Sequence, residues 1–207
     1  NNRAGRDGGG VWVGQLGALQ LQTITLNGPV INSNVAVRNG GGIWIGQSGL
    51  FQGQKVTVNT NALNANTAGN DGGGMYVYQG TTNLQVQDVK ITSNSINANN
   101  ATNGNGGGIY NNQGSVTITG THLNANVSKY HGGGIYNDHG TVTFSQLDKG
   151  KSMVIANKTG GTKGNGGGGI YNNGGKLYLN SIKIQSNKPD QCVNVGGGTV
   201  LAGTCTA

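Results

Sequence analysis

The chain has no glutamate, and its only acids are six aspartates: Asp7, Asp71, Asp88, Asp138, Asp148 and Asp190. A catalytic pair of carboxylates therefore has little material to draw on. Cysteine is scarcer still. Cys192 and Cys205 are too few for a structural zinc site by themselves. Their closeness suits a disulfide closing a loop of about 14 residues in an oxidising compartment, with two free thiols in a reduced protein as the alternative. Apolar residues make up only 33% of the chain, so a broad core of large side chains is not available. No apolar run approaches the roughly 18 residues a membrane helix needs. The sequence opens on the polar Asn1 and Asn2 instead of a signal sequence, as expected of a mature or excised chain.

What the chain has in quantity is glycine, 42 of 207 residues, and it is regularly placed. Gly-Gly-Gly recurs from Gly8, Gly40, Gly72, Gly106, Gly132 and Gly167, at spacings of 32, 32, 34, 26 and 35, each time followed by an aliphatic and then an aromatic residue. A second motif, aliphatic, any residue, small, Asn, ends at Asn34, Asn66, Asn94, Asn126, Asn157 and Asn187. Between them lie alternating segments such as Ser115-Val116-Thr117-Ile118-Thr119, with the period of two of a strand buried on one side. Each unit thus reads as three short strands and three turns. A unit this small cannot cover its own apolar face and must stack on its neighbours. The expectation is an all-β, right-handed parallel β-helix of about six to seven coils, a single domain over 1–207 and about 29 Å long at about 4.8 Å per coil. Residues 188–207 are expected to form a partial last coil or cap carrying the disulfide.

Alternation sends Val11, Ile43, Met75, Ile109, Ile135 and Ile170 inward from the first strand, and Ile31, Leu63, Ile91, Leu123, Val154 and Ile184 from the third. The small residues Ser33, Ala65, Ser93, Ala125, Ala156 and Ser186 are expected in the same inward column. The triple glycine permits a positive-φ turn. The repeated Asn is expected to bond from coil to coil as a ladder of amides.

The Gly-Gly-Gly-Ile-Tyr elements at Gly106, Gly132 and Gly167, with the Leu/Ile-x-Ala/Ser-Asn element, resemble the pectate-lyase-like superfamily of right-handed β-helices, and more closely the repeats of polymorphic outer membrane proteins. The resemblance implies a secreted or cell-surface protein, commonly an adhesin, passenger domain or structural protein, without implying an activity. Enzymes on that fold cluster acids on neighbouring coils; here Asp7 and Asp71 precede the triple glycine two coils apart, near 10 Å, with Asn39 between them. The best catalytic constellation, His131 with Asp138 and His139, has no nucleophile motif beside it. We expect no catalytic residue, no metal and no cofactor.

Two features point to binding. The aromatic column Trp12, Trp44, Tyr76, Tyr110, Tyr136 and Tyr171 should point outward and stack along one face, where the rings either support one another and shield the sheet or offer a surface for subunit contact or for sugar rings. The formal charge of +7 favours anionic partners, with Lys149, Lys151, Lys158 and Lys163 in one stretch. An outward threonine column, Thr25, Thr57, Thr117 and Thr143, is broken by Gln85 and Tyr178 and is too irregular for ice. The sequence reads as a non-enzymatic extracellular or cell-surface structural or adhesive β-helix. It could join end to end into a filament or homo-oligomer, or meet a polysaccharide or cell-surface partner, with no nucleic acid and no transmembrane segment. A carbohydrate-binding module, or a polysaccharide lyase or hydrolase, is the alternative.

Overall fold

The computed structural model describes residues 1–15, 17, 19, 21–49, 52–59, 62–80, 86–92, 95–145, 151–180 and 182–205. Among them every strand pairing is parallel, and the strands stack in four sheets. Sheet 1 holds Val11–Gln15, Ile43–Gln47, Met75–Gln79, Ile109–Asn112, Ile135–Asp138, Ile170–Asn173 and Cys192–Val195. Sheet 2 holds Leu21–Asn27, Gly53–Asn59, Val86–Thr92, Ser115–Thr119, Thr141–Ser145, Lys176–Leu179 and Thr199–Ala202. Sheet 3 is formed by Ser95–Asn97, His122–Asn124, Ser152–Ile155 and Ile182–Gln185, and sheet 4 by the two-residue strands Arg3–Ala4, Val35–Ala36, Thr67–Ala68, Asn100–Ala101, Val127–Ser128 and Lys158–Thr159. The chain visits the sheets in this order as it winds, the first two circuits passing from sheet 2 to sheet 4 without a described sheet 3 strand, which makes it a parallel β-helix. Sheet 4 was not foreseen: two residues are too few for periodicity to register.

The core is a file of aliphatic residues down the middle. Ile43, Met75, Ile109, Ile135 and Ile170 from sheet 1 meet Val56, Val89, Val116, Val142 and Leu177 from sheet 2, all fully buried. Between the core and sheet 4 runs the amide ladder. The Nδ2 groups donate along Asn2, Asn34, Asn66, Asn99, Asn126, Asn157 and Asn187 to the next Oδ1 at 2.9–3.1 Å, and Asn187 donates to Gln191 Oε1 at 3.0 Å. Each accepting Oδ1 also takes a backbone N–H of the neighbouring coil, as Asn126 Oδ1 does from Asn99 at 3.0 Å.

Four expectations are corrected here. Asn94 lies outside the described residues, as does Ser93, and Asn99 holds the ladder position. Ile96, paired with Leu123, takes the inward place expected of Ile91, which instead pairs with Ile118 in sheet 2. The segment offers the motif twice, Ile91 to Asn94 and Ile96 to Asn99, and a seven-residue sheet 2 strand uses up the first copy. The small column faces solvent: Ser33, Ala65, Ala98, Ala125, Ala156 and Ser186 are exposed and left-handed, with φ between 52° and 57°. That conformation turns the following Asn inward, at a backbone cost of about 1–2 kcal/mol for a residue with a Cβ. Likewise Lys90, not Gln85, is the partner of Thr57 in the threonine column, Gln85 being outside the described residues.

At the corner between sheets 1 and 2 the ladders change hands. Gln87 Nε2 donates to Gln54 Oε1 and Gln54 Nε2 to Gln22 Oε1, both at 2.9 Å, toward the N-terminus. Asn111, Asn137 and Asn172 donate the other way, ending on Asn194 at 2.6 Å. The two runs meet acceptor to acceptor beside Gly114, where Gln87 Oε1 and Asn111 Oδ1 are buried with no donor. At the far end a disulfide joins Cys192, in the inward column of sheet 1, to Cys205, which packs against the core. Closing a loop of this length stabilises by about 3 kcal/mol.

Candidate functional site

The aromatic residues occupy one register position of sheet 1, from Trp12 through Trp44, Tyr76, Tyr110 and Tyr136 to Tyr171, and Val193 continues the row. Strand spacing in a parallel sheet is close to the stacking distance of rings, so each ring covers the next. Centroids lie 5.2 Å apart for Trp12 and Trp44, 4.9 Å for Tyr76 with Tyr110 and for Tyr110 with Tyr136, and 5.3 Å for Tyr136 with Tyr171. The tyrosines are consequently buried, each no more than 9% exposed, which corrects the expectation of an open stripe along the whole rod. Polar rows wall them in. On one side backbone N–H groups of Asn39, Asp71, Asn105 and His131 donate to the side chains of Asp7, Asn39, Asp71 and Asn105. On the other, Tyr110 Oη donates to Asp138 Oδ2 at 3.2 Å.

Burial raises the phenol pKa values, to about 12 for Tyr76 and Tyr136, higher for Tyr110, and upward for Tyr171. Burial also raises Asp71, against the opposing hydrogen bond from the Asn105 backbone. Because the folded phenols titrate above their unfolded value of about 10, their stabilising contribution is complete below pH 10 and is lost as pH rises through about 12. In an alkaline titration followed by phenolate absorbance, Tyr76 and Tyr136 are expected to ionise only near pH 12 or together with unfolding, and Tyr110 and Tyr171 above the ordinary phenol range. Four phenols ionising near pH 10 in the folded protein would contradict their burial.

The catalytic constellation is not assembled. His131 lies ahead of strand Ile135–Asp138, its ring 4.5 Å from that of Tyr171 and its Nδ1–H on the Asn165 carbonyl at 2.6 Å. Asp138 is the last residue of that strand and His139 follows it, at the other end from His131. Asp138 Oδ1 accepts from His139 Nδ1 at 2.7 Å and from Asn173 Nδ2 at 2.9 Å. The carboxylate thus has three partners within the fold. Asp7 and Asp71 stay separated by Asn39.

The open part of the column is the tryptophan end. Trp12 is 50% exposed and Trp44 half-buried, their planes within 2° of parallel. The indoles lie over Gly14 and Gly46, where a Cβ would fall inside the rings. Arg6, Asp7, Arg38, Ser48 and Tyr78 complete a cleft of about 400 Å³ around them. Arg38 Nη2 bonds Asp7 Oδ2 at 2.7 Å, which raises the guanidinium pKa, and Arg6 makes no ion pair among the described residues. The sequence reading missed both arginines, although each stands two residues before a triple glycine, in one phase of the repeat.

The lysine stretch is divided by the fold. Lys149 lies outside the described residues. Lys151 precedes the sheet 3 strand Ser152–Ile155, whereas Lys158 is in sheet 4 and Lys163 in the turn after it, all three exposed. Two of the N-x-Ser/Thr acceptors, Asn126 and Asn157, are buried ladder residues. No helix of the described residues is long and apolar enough to cross a membrane, and no group of three or more metal-ligating side chains occurs among them.

Comparison with protein-family models, with curated proteins and with solved structures finds no match. What stands is the architecture itself, an all-β parallel solenoid with a disulfide at one end.

Proposed function

We propose that this chain is a non-enzymatic structural or adhesive β-helix of the cell surface or extracellular space, related in repeat type to polymorphic outer membrane proteins, whose copies join end to end. The observation that carries this reading is the end face at the first strands. Trp12, Leu19, Leu21 and Val30 are between 50% and 92% exposed there, beside Val11–Gln15 and Leu21–Asn27, the outermost described strands of sheets 1 and 2. Exposed apolar side chains next to an outermost strand favour pairing with another chain. At the opposite end Cys192–Val195 and Thr199–Ala202 are the outermost described strands, and Leu201 is 52% exposed. The disulfide suits an oxidising compartment. Leu21→Asp with Val30→Asp is expected to abolish association in sedimentation velocity while moving the melting temperature by no more than about 2 °C. Unchanged association would remove the end face from the account.

A second reading, carbohydrate binding, is favoured by the tryptophan cleft. Parallel indoles flanked by guanidinium, hydroxyl and carboxylate groups supply the apolar surface and hydrogen-bonding groups that sugar rings use. Leu21→Asp separates the two readings, since Leu21 belongs to the end face and not to the cleft, so that its change would weaken association and leave sugar binding intact.

A further inference from the structure

Sheet 4 and the turn after it gather four lysines that are far apart in sequence. Val127 pairs with Lys158 and Lys158 bridges to Lys188, so these residues follow one another up the same column. Lys158 and Lys188 leave the backbone on adjacent strands, about 4.8 Å apart. Lys129 lies two residues beyond Val127, and Lys163 stands in the turn above. All four are exposed, and none is ion-paired among the described residues. The acid close to them in sequence, Asp190, is 1% exposed and already accepts the Gly164 N–H at 2.9 Å.

The same corner carries an aromatic ring. Lys129 Nζ lies 5.1 Å from the centre of the Tyr130 ring, which is 45% exposed. In the next coil Gly160 and Gly161 lie against the Lys129 and Tyr130 carbonyls and add no side chain of their own. The result is a basic patch of exposed lysines around a half-exposed ring. Like charges gathered in one patch, none of them ion-paired among the described residues, favour an anion shared between them. An exposed ring beside them suits a sugar ring more than a bare anion.

We propose that Lys129, Lys158, Lys163 and Lys188 with Tyr130 form a binding site for a linear acidic glycan, its sulfate or carboxylate groups on the lysines and one sugar ring on Tyr130. This names a partner for the adhesive reading and rests on it. The test is calorimetric titration of the intact chain with size-defined sulfated, polyuronate and neutral dextran oligosaccharides, and with a single-stranded DNA oligomer, at low and high salt. A sulfated or uronate chain is expected to bind at low salt and weaken with salt, and the stronger of the two identifies the anionic group. Lys158→Gln with Lys188→Gln should weaken binding by about tenfold and Tyr130→Ala by about fivefold, at unchanged melting temperature. Dextran should not bind, and Arg3→Gln, an exposed cation in the first strand of sheet 4, should leave the affinity unchanged. No binding of either acidic glycan, equal losses from Lys55→Gln with Lys90→Gln on sheet 2, or tighter binding of DNA would each overturn the site. Those failures leave self-association intact, whereas failure of the broader reading would appear in sedimentation and not in the titration.

Discussion

Asn126→Ala is expected to destabilise the protein by about 4 kcal/mol, because several buried polar groups lose their partners together. Asn126 Oδ1 accepts both the backbone N–H and the Nδ2 of Asn99, at 3.0 and 2.9 Å. Its Nδ2 donates to Asn157 Oδ1 at 2.9 Å and to the Ile96 carbonyl at 2.8 Å. The site is fully buried, so no solvent replaces these bonds. Asn59→Ala is the control: its Nδ2 also bonds an asparagine, Asn27, at 3.0 Å, but in an exposed pair. That change is expected to cost no more than about 0.5 kcal/mol. Denaturant unfolding of both variants measures the difference; equal costs would mean that the ladder is not what holds sheet 4 to the core.

Gly107→Ala is expected to cost about 3 kcal/mol or more, or to prevent folding, and for a different reason. The first glycine of each triplet is the one with positive φ, 65° at Gly106. Gly107 needs space instead: a Cβ there would meet the Gly133 carbonyl oxygen at 2.5 Å and the Val127 carbonyl beside it. Both obstacles are backbone, and both are fixed by stacking of the next coil, so neither can yield as a side-chain tip would. Gly5→Ala, with nothing within 4 Å of the added Cβ, should stay within about 0.5 kcal/mol of the parent. Thermal unfolding of the pair reads the contrast, and similar melting temperatures would contradict the close approach of successive coils.

The recurrence of Gly-Gly-Gly and of the aliphatic-x-small-Asn element was enough to read a stack of parallel strands, because in a solenoid the phase of the repeat is also the position in space. Phase places Ile43 above Met75 and Asn34 above Asn66, and the structure pairs them so. It failed where one segment carries two copies of a motif, giving Asn94 for Asn99, since choosing between them needs the length of the sheet 2 strand. Strict alternation also failed at Ser33 and Ala65, where left-handed backbone reverses the side-chain direction. The candidate site was half legible. The aromatic column stood in the sequence, but its burial depends on polar walls contributed by other phases, such as Asp71 and Asp138. The basic patch was hidden, because Lys158 and Lys188 come side by side only after the coils stack.

The most direct test of the account is sedimentation velocity of the intact, oxidised chain at neutral pH over a wide concentration range, with negative-stain electron microscopy at the highest concentration. The account predicts mass-action growth from the 21.0 kDa chain to rods that lengthen along one axis. Dispersed single particles of that mass at every concentration would contradict end-to-end joining and leave the tryptophan cleft and the lysine patch as the contact surfaces.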